Sequence, residues 1–342
     1  MKVALLACMC VVMAACSSNS DDDNAVGSDD VRVAFTMSIA EATPTRADNN
    51  GWADYDPKQD GTDKENMINT NDLHILVCDD GGNRLAEIED VFVSLVSDPD
   101  GKKYNITGTW RNAKGKLANA KKLMVVANCN AMSLATTPVA NLVYDIDTGT
   151  RTFIPMWGVA PLPAMTLGKS NPLTEDICML RAMAKIKVTL RDDMKSYGFS
   201  IADMTLNAYN TRGYCLPKNF GSVLRTKDIS FDNSLNPYDS KATSALHFAD
   251  AQPVYVPEYD NTTTGVTPST ITVNLDRNGS HEGTYTLHFR NYDSNGAPNG
   301  TPFDIQRNHL YTYIIYKENG QLLVSLHVRK WHMREHDEDI IM

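Results

Sequence analysis

Residues 31–39 alternate between apolar and other side chains without a break. The apolar positions are Val31, Val33, Phe35, Met37 and Ile39. A period of two places successive side chains on opposite faces of an extended chain, so this pattern predicts a β-strand with one buried face. Such a strand has to lie in a sheet that covers its apolar side. The first folded segment of the chain is therefore expected to be a half-buried strand.

A short polar segment with one arginine follows this strand. Residues 41–46 contain Pro44 and end at Arg46, and Ala47 begins a stretch rich in Gly, Asp and Asn. A buried strand joined to an exposed arginine could be removed by cleavage between Arg46 and Ala47. Its loss would leave a hydrophobic groove that a strand of a neighbouring molecule fills. The alternative is an ordinary first strand of a β-sandwich followed by a flexible loop, and these residues alone leave it open.

The N-terminal residues carry the pattern of an export signal. Lys2 precedes an apolar run at residues 3–15, which ends in small residues before Cys16. This run is too short to span a bilayer and fits the hydrophobic part of a secretory signal peptide, predicted here as residues 1–15. The small residues before the cysteine resemble a bacterial lipobox. They predict cleavage between Ala15 and Cys16 and attachment of lipid, including palmitate, to Cys16.

The next segment is expected to be a tether. Residues 17–30 are rich in Ser, Asp and Asn and include an acidic run at 21–23. This composition cannot bury enough apolar surface to fold. An acidic run directly after the lipidated cysteine also resembles the export signals that carry some lipoproteins to the cell surface. Residues 16–46 are therefore predicted to be a lipidated propeptide that contains the removable strand at 31–40.

Length and charge limit the remaining possibilities. The chain has 342 residues, enough for one large or two ordinary domains, and we expect two. The net charge is −10. Residues 1–46 hold three basic and six acidic side chains, or −3, which leaves −7 for the remainder. An acidic chain without a basic block argues against nucleic acid as a partner.

Four cysteines remain once the signal peptide and the lipidated residue are set aside. They are Cys78, Cys129, Cys178 and Cys215. An even number permits disulfides in an oxidising compartment, but Cys78 and Cys129 lie in apolar strands where a buried thiol is equally ordinary, so the pairing stays open. No C-x-x-C spacing is present, and we predict no metal cluster.

The common catalytic patterns are absent from the sequence. It contains no G-x-S-x-G, H-E-x-x-H, P-loop or G-x-G-x-x-G segment, so we expect neither an enzyme nor a bound cofactor. The acidic residues between 56 and 65 resemble a calcium loop, but Lys58 and Met67 stand where the EF-hand template needs ligands. A solvated loop is expected there. His332 and His336 could hold a metal from one helical face, but a flexible charged tail also accounts for them.

The rest of the chain is predicted to form a series of strands separated by polar turns. The clearest hairpin lies at the C-terminus, where residues 309–316 run out, Asn319 and Gly320 turn, and residues 321–331 return. Its returning strand has Leu322, Val324, Leu326 and Val328 on one face. Many short strands and few helices predict an all-β fold of sandwiches or barrels.

A domain boundary is expected near the middle of the chain. Residues 153–158 lead into a proline-punctuated stretch that runs through Pro172 and predicts irregular or edge structure, and residues 180–190 then reopen an alternating pattern. The predicted domains are 47–175 and 176–342, the second with a candidate donor strand within 321–342.

Five segments, in the same order along the chain, resemble the recurrent signatures of the FimA-type fimbrillin family, the subunits of type V pili. They are LMVVAN at 123–128, IPMWG at 154–158, LRAMAKI at 180–186, VYVPE at 254–258 and RNHLY at 307–311. Each is weak alone, but the ordered set is fairly specific.

The resemblance implies two tandem transthyretin-like β-sandwich domains and a lipoprotein precursor carried to the outer membrane. It also implies a trypsin-like, arginine-specific protease that cuts in the loop after the first strand, here between Arg46 and Ala47. In the family, a C-terminal strand of one subunit fills the vacated groove of the next. The matching donor residues here are Leu322, Val324, Leu326 and Val328.

Two functions remain open at this point. The first is a structural subunit of a cell-surface fimbria, whose partners are other fimbrial subunits, the processing protease and, before cleavage, the outer membrane. The second is a monomeric surface lipoprotein that binds a glycan or another host ligand and keeps residues 31–39 in place.

Overall fold

The structure, a computed structural model, describes residues 27–39, 63–96, 103–129, 138–146, 153–231, 234–250, 252–319 and 321–330. The predicted signal peptide, Cys16, the Arg46–Ala47 bond and residues 331–342 lie outside these ranges. Strands dominate the described part of the chain, which has one short α-helix, α1, at Asp192–Ser196. Short 3-10 helices lie at Asp63–Asn66, Thr70–Asp72, Leu117–Asn119, Val139–Asn141, Phe220–Ser222 and Thr226–Asp228. The all-β prediction is confirmed.

The first half of the chain builds one nine-stranded sheet. The first ten strands are β1 (Val31–Ile39), β2 (Leu73–Cys78), β3 (Arg84–Glu87), β4 (Glu89–Val96), β5 (Lys103–Trp110), β6 (Lys122–Ala127), β7 (Val143–Asp145), β8 (Met156–Pro161), β9 (Ser170–Pro172) and β10 (Ile177–Arg181). The sheet order is β3-β2-β6-β8-β10-β1-β5-β4, and β9 also pairs with β1.

The second half builds two four-stranded sheets. Its strands are β11 (Ala184–Leu190), β12 (Phe199–Asn207), β13 (Arg212–Tyr214), β14 (Leu246–Phe248), β15 (Val254–Val256), β16 (Thr270–Arg277), β17 (Ser280–His288), β18 (Asn291–Tyr292), β19 (Pro298–Asn299), β20 (His309–Glu318) and β21 (Gln321–Lys330). The sheet orders are β15-β11-β20-β21 and β14-β12-β16-β17. β7 also pairs with β13, and β18 with β19.

The buried apolar side chains form two hydrophobic cores. The first core takes its residues mainly from the chain up to Met183, and the second begins at Ala184. The predicted boundary between residues 175 and 176 falls shortly before this change, and β10, which follows it, pairs with β1 and β8 in the first sheet. The division into two transthyretin-like domains remains a prediction.

An internal strand, β8, runs into the start of the proline-punctuated stretch, where irregular or edge structure is expected. Strand β8 pairs with β6 on one side and β10 on the other. Pro161 is its last residue, so the proline interrupts no ladder inside the strand. Gly158 allows β10 to approach closely, since a Cβ at this position would lie 2.6 Å from the carbonyl oxygen of Cys178.

Residues 180–190 form parts of two strands that lie in different sheets. Strand β10 ends at Arg181 and β11 begins at Ala184. At the break, the backbone N–H of Ala182 donates to the carbonyl of Pro155 at 2.8 Å, and the hydroxyl of Tyr144 donates to the carbonyl of Ala182 at 2.7 Å. Both sides of the break are apolar, so alternation cannot reveal where the chain leaves one core for the other.

Asn128 joins three segments at the end of β6. Its backbone has a φ of 61°, in the left-handed region. Its side-chain oxygen accepts from the N–H of Asn69 at 2.8 Å, and its amide donates to the carbonyls of Met67 at 2.9 Å and Ile154 at 2.8 Å. This side chain therefore fixes the end of β6 against both neighbouring segments.

We expect Asn128→Ala to lower the free energy of unfolding by about 2–4 kcal/mol, because alanine loses three hydrogen bonds and tolerates the left-handed backbone poorly. The matched control is Asn278→Ala in the exposed turn between β16 and β17, where φ is 51°. That variant changes the backbone preference and an exposed side-chain contact with Gly198, and it should lose about 1 kcal/mol. Urea unfolding measures both, and equal losses would contradict the role given to the hydrogen bonds.

Candidate functional site

Strand β1 lies inside the first sheet and is paired on both sides. It runs antiparallel to β5 along eight residue pairs, from Val31 opposite Trp110 to Ser38 opposite Lys103. On its other side it runs parallel to β9 near its start and to β10 near its end. Removing β1 would therefore open a gap within the sheet instead of trimming its edge.

The apolar face of β1 is buried in the first core. The exposed fractions of its side chains are Val31 0%, Val33 0%, Phe35 5%, Met37 0% and Ile39 1%. Burying five such side chains contributes about 8–15 kcal/mol gross, at ~1.5–3 kcal/mol each. This is a large share of the stability of a typical domain. A groove without this strand would expose a row of apolar pockets to water.

The opposite face of β1 is polar and partly open. The hydroxyl of Ser38 lies 3.8 Å from the sulfur of Cys178, and the two residues are register partners between β1 and β10. Thr36 donates weakly to the side-chain oxygen of Asn105, at 3.4 Å. Cys178 therefore lies close enough to be cross-linked to a cysteine placed at the position of Ser38.

One flank of β1 consists of two short strands and the segment between them. Arg32 donates its N–H to the carbonyl of Lys169 at 3.1 Å, before β9. Leu173, which follows β9, donates to the carbonyl of Ala34 at 2.8 Å. The hydrogen bonds of this flank thus continue past the ends of β9.

A polar clasp, formed by residues 29–30 and the turn 111–114, holds the start of β1. The N–H of Asn112 donates to the carboxylate of Asp30 at 2.9 Å, and the N–H of Ala113 donates to the carbonyl of Asp29 at 2.8 Å. The ammonium of Lys114 lies 3.2 Å from the carboxylate of Asp29. The turn thus presents mainly hydrogen-bond donors to the chain that enters β1.

Arg111 belongs to the same turn but is shared among three carboxylates. It contacts Asp90 most closely, Glu89 at 3.2 Å and Asp30 at 3.7 Å. The charge and hydrogen bond of Asp90, followed by the charges of Glu89 and Asp30, raise the pKa of Arg111 above its usual value. Arg111 thus reaches Asp30, whereas Asp29 pairs with Lys114.

The predicted donor residues lie in β21, an edge strand of its sheet. Among the described strands of that sheet, β21 pairs with β20 alone. Val324 is buried, and Leu322, Leu326 and Val328 are partly buried against the second core. The β18–β19 hairpin touches the strand, since a Cβ on Gly296 would lie 2.8 Å from the Cα of Leu323.

The structure does not bring the donor residues to the groove within one chain. The five apolar residues of β1 belong to the first core, and the four predicted donor residues pack against the second. An exchange between them would have to take place between two copies.

A buried ionic cluster lies where the two cores meet, and the sequence analysis missed it. Glu65, expected in a solvated loop, is 1% exposed, and its carboxylate lies 2.8 Å from the ammonium of Lys185. The hydroxyl of Tyr255 donates to the same carboxylate, and Arg181 donates to the carbonyl of Glu65 at 3.2 Å. Burial, followed by the charge of Glu65, raises the pKa of Tyr255. A lysine inside the apolar pattern of β11 was the available signal.

The four cysteines are present as thiols, so the structure contains no disulfide among its described residues. Burial, followed by the nearby charge of Asp79, raises the pKa of the Cys78 thiol to about 12. In the described ranges, no three His, Cys, Asp or Glu side chains gather in a way that could hold a metal ion. No helix within them is both long and apolar enough to cross a membrane.

Two solved structures have a similar fold. The tip fimbrial protein Mfa3 from Porphyromonas gingivalis, with a C-terminal truncation, aligns with a TM-score of 0.53 at 15% identity, covering 88% of this chain and 100% of its own. A candidate cell adhesion protein from Parabacteroides distasonis aligns with a TM-score of 0.51 at 15% identity, covering 88% and 97%. At these identities the likeness shows the fold alone. No curated protein sequence matches the chain.

The family comparison extends along nearly the whole chain. A family model described as fimbrillin-A associated anchor proteins Mfa1 and Mfa2 matches residues 30–337, which include β1 and β21. The resemblance to fimbrillins noted in the sequence is thereby confirmed. This chain belongs to the family of fimbrillin-A associated anchor proteins Mfa1 and Mfa2.

Proposed function

We propose that this protein is exported as a lipoprotein precursor, is cut after Arg46 and polymerises by donor-strand exchange. Its family makes it a fimbrial subunit or cell adhesion protein of the cell surface. In the proposal, residues 1–15 are removed, Cys16 receives lipid at the outer membrane, and an arginine-specific protease cuts between Arg46 and Ala47. The partners of the cut protein are other fimbrial subunits.

The position of β1 carries this proposal. The strand belongs to the segment that the cut would separate from the rest, and yet all five of its apolar side chains are buried in the first core. A folded protein cannot keep such a row of pockets open to water without a large loss of stability. Loss of β1 therefore creates a demand for another strand with the same alternation.

A replacement strand can satisfy both needs of the groove. Its backbone would pair with β5 on one side and with β9 and β10 on the other, and alternate side chains would fill the pockets. Because the uncut precursor fills its own groove, removal of the pro-segment acts as the switch that permits assembly. The contact joins two different surfaces, so it is heterologous and can continue as a filament.

Strand β21 is the candidate donor because of its place in the second sheet. As an edge strand it can leave β20 without dividing that sheet, whereas an internal strand cannot. Its alternating residues Leu322, Val324, Leu326 and Val328 match the period of the groove. The donor strand β21 and the groove of β1 then lie at opposite ends of the described chain, as head-to-tail assembly requires.

Digestion of the precursor with an arginine-specific protease tests the proposal. The substrate is the full precursor without residues 1–16, so that lipid does not cause association. We expect a new N-terminus at Ala47, followed by multimers that resist SDS. Trp110 lies opposite Val31, so its fluorescence should shift to longer wavelength while the groove is empty and shift back as multimers form.

Arg46→Ala is the matched control, and it should abolish both the cut and the multimers. A cut protein that keeps residues 31–39 bound and stays monomeric would refute strand exchange. That outcome would instead favour the monomeric surface lipoprotein that binds a glycan or another host ligand.

A further inference from the structure

The strands beside β1 specify the direction of any replacement. Strand β5 pairs with β1 antiparallel, and β9 and β10 pair with it parallel. These two hydrogen-bond patterns differ in spacing and slant. A strand that entered in the opposite direction would require the other pattern on both sides at once. The groove is therefore formed for a strand that runs in the direction of β1.

The turn 111–114, the part of the clasp that remains after the cut, imposes a second requirement at the start of the groove. With residues 29–30 gone, the N–H groups of Asn112 and Ala113 and the ammonium of Lys114 lose their acceptors. An entering strand should supply acceptors there, and preferably one carboxylate for Lys114. Arginine and lysine side chains have donors only and would be repelled by Lys114.

β21 can be tried in the groove in four ways, two in each direction. In the opposite direction with Val328 in the place of Val31, Arg329 and Lys330 fall at the clasp. This placement brings like charges together and reverses the strand direction, so it fails both requirements. With Val328 in the place of Val33 the direction is again reversed, and Lys330 falls in the pocket of Val31, whose own side chain is 0% exposed.

In the direction of β1, two placements keep the apolar alternation. With Leu322 in the place of Val31, Lys330 falls in the pocket of Ile39, whose own side chain is 1% exposed. Burying an unpaired lysine there is costly. This placement also leaves the clasp without a carboxylate.

Moving β21 by two residues from this placement, with its direction unchanged, meets both requirements. Leu322, Val324, Leu326 and Val328 then take the places of Val33, Phe35, Met37 and Ile39, respectively. No charged side chain of the strand enters a pocket, and only the place of Val31 receives no side chain, since Gly320 falls there.

The same shift supplies the clasp. Glu318 falls in the place of Asp29, where its carboxylate can pair with Lys114. Asn319 falls in the place of Asp30, where its amide oxygen can accept from the N–H of Asn112. A neutral acceptor suits this second place, because Glu89 and Asp90 already balance the charge of Arg111.

We propose that the clasp selects direction and register, so that β21 of a second copy enters parallel to β1 with Glu318 in the place of Asp29. This inference rests on the proposed function. It assigns a specificity role to Lys114 and the turn 111–114, and it assigns the turn between β20 and β21 a binding role once the hairpin opens.

Cys178 makes the register measurable, because it lies beside the position of Ser38. In the proposed register that position holds His327. With Leu322 in the place of Val31, the position of Ser38 holds Arg329. In the opposite direction it holds Gln321 when Val328 takes the place of Val31, and Leu323 when Val328 takes the place of Val33.

The experiment places one cysteine at a time in the full precursor, as His327→Cys, Arg329→Cys, Gln321→Cys and Leu323→Cys. Each variant is cut, assembled and oxidised with glutathione disulfide. We expect a disulfide between copies from His327→Cys alone, and its loss when Cys178→Ser is added. A cross-link from any of the other three, or polymers without a His327 cross-link, would overturn the register. Absence of polymers from the unmodified cut protein would overturn the proposed function itself.

A charge exchange tests the clasp separately. Lys114→Glu alone and Glu318→Lys alone should each slow assembly about fivefold at low salt, and the double variant should recover most of the rate. Lys116→Glu, an exposed lysine near the same turn, is the matched control and should leave the rate unchanged. Equal rates for all variants would show that the clasp does not select the strand.

Discussion

The variant Ser38→Cys is expected to lose polymerisation entirely under oxidising conditions. The hydroxyl of Ser38 lies 3.8 Å from the sulfur of Cys178, on neighbouring parallel strands in register, so a cysteine there can form a disulfide with Cys178. The bond would tie β1 to β10 after the chain is cut at Arg46. A tied strand cannot leave, so the groove stays filled and no donor can enter.

The controls separate the effect of the disulfide from other effects of the substitution. Adding dithiothreitol to the cut variant should restore assembly, because it reduces the disulfide. Ser38→Cys combined with Cys178→Ser should assemble in either condition, as should Ser38→Ala. Non-reducing SDS gels and size-exclusion chromatography provide the measurement. If the disulfide forms fully and polymers still appear, β1 is not the strand that is exchanged.

The variant Glu258→Ala is expected to lower the free energy of unfolding by about 3–5 kcal/mol. Its partner Arg307 lies 2.7 Å away, and the two side chains are only 1% and 2% exposed. Burial disfavours the charged guanidinium, but the charge and hydrogen bond of Glu258 more than offset it, so the pKa of Arg307 stays above its usual value. Without Glu258, a buried cation would keep only carbonyl partners, at Cys215 and Tyr214.

An exposed pair of similar geometry is the matched control. Arg225 and Glu175 lie 2.6 Å apart, but both side chains are more than one-third exposed. Glu175→Ala should therefore lower the free energy of unfolding by no more than about 1 kcal/mol. Replacing both Glu258 and Arg307 by methionine should recover part of the loss, because no unpaired charge remains while the N–H of Asn236 still loses its acceptor. Equal effects at the two pairs would contradict the role given to burial.

Local patterns in the sequence were enough to predict the strands that alternate cleanly. The bounds expected for the first strand and for the C-terminal hairpin agree with β1, β20 and β21 within about two residues. In these segments the period of two is uninterrupted, and Asn319 and Gly320 are suited to a tight turn. For these strands, neighbouring residues alone show that a strand forms and which of its side chains are buried.

Pairing between distant segments could not be predicted in this way. Nothing local indicates that β1 lies between β5 and β10, or that Asp29 and Asp30 contact a turn at 111–114. Glu65 looked like part of a polar loop because its partners Lys185 and Tyr255 lie far along the chain. The break between β10 and β11 was hidden for a related reason, since an apolar sequence does not show which core it enters.

The internal position of β1 has a mechanical consequence. A pull along its axis loads the hydrogen bonds to β5 and those to β9 and β10 together, so many bonds have to shear at the same moment. Among the described strands, β21 is held by hydrogen bonds to β20 alone, so the same pull along its axis loads one ladder instead of two. A strand bound in the place of β1 would thus resist tension along a fibre much better than the same strand does at the edge from which it came.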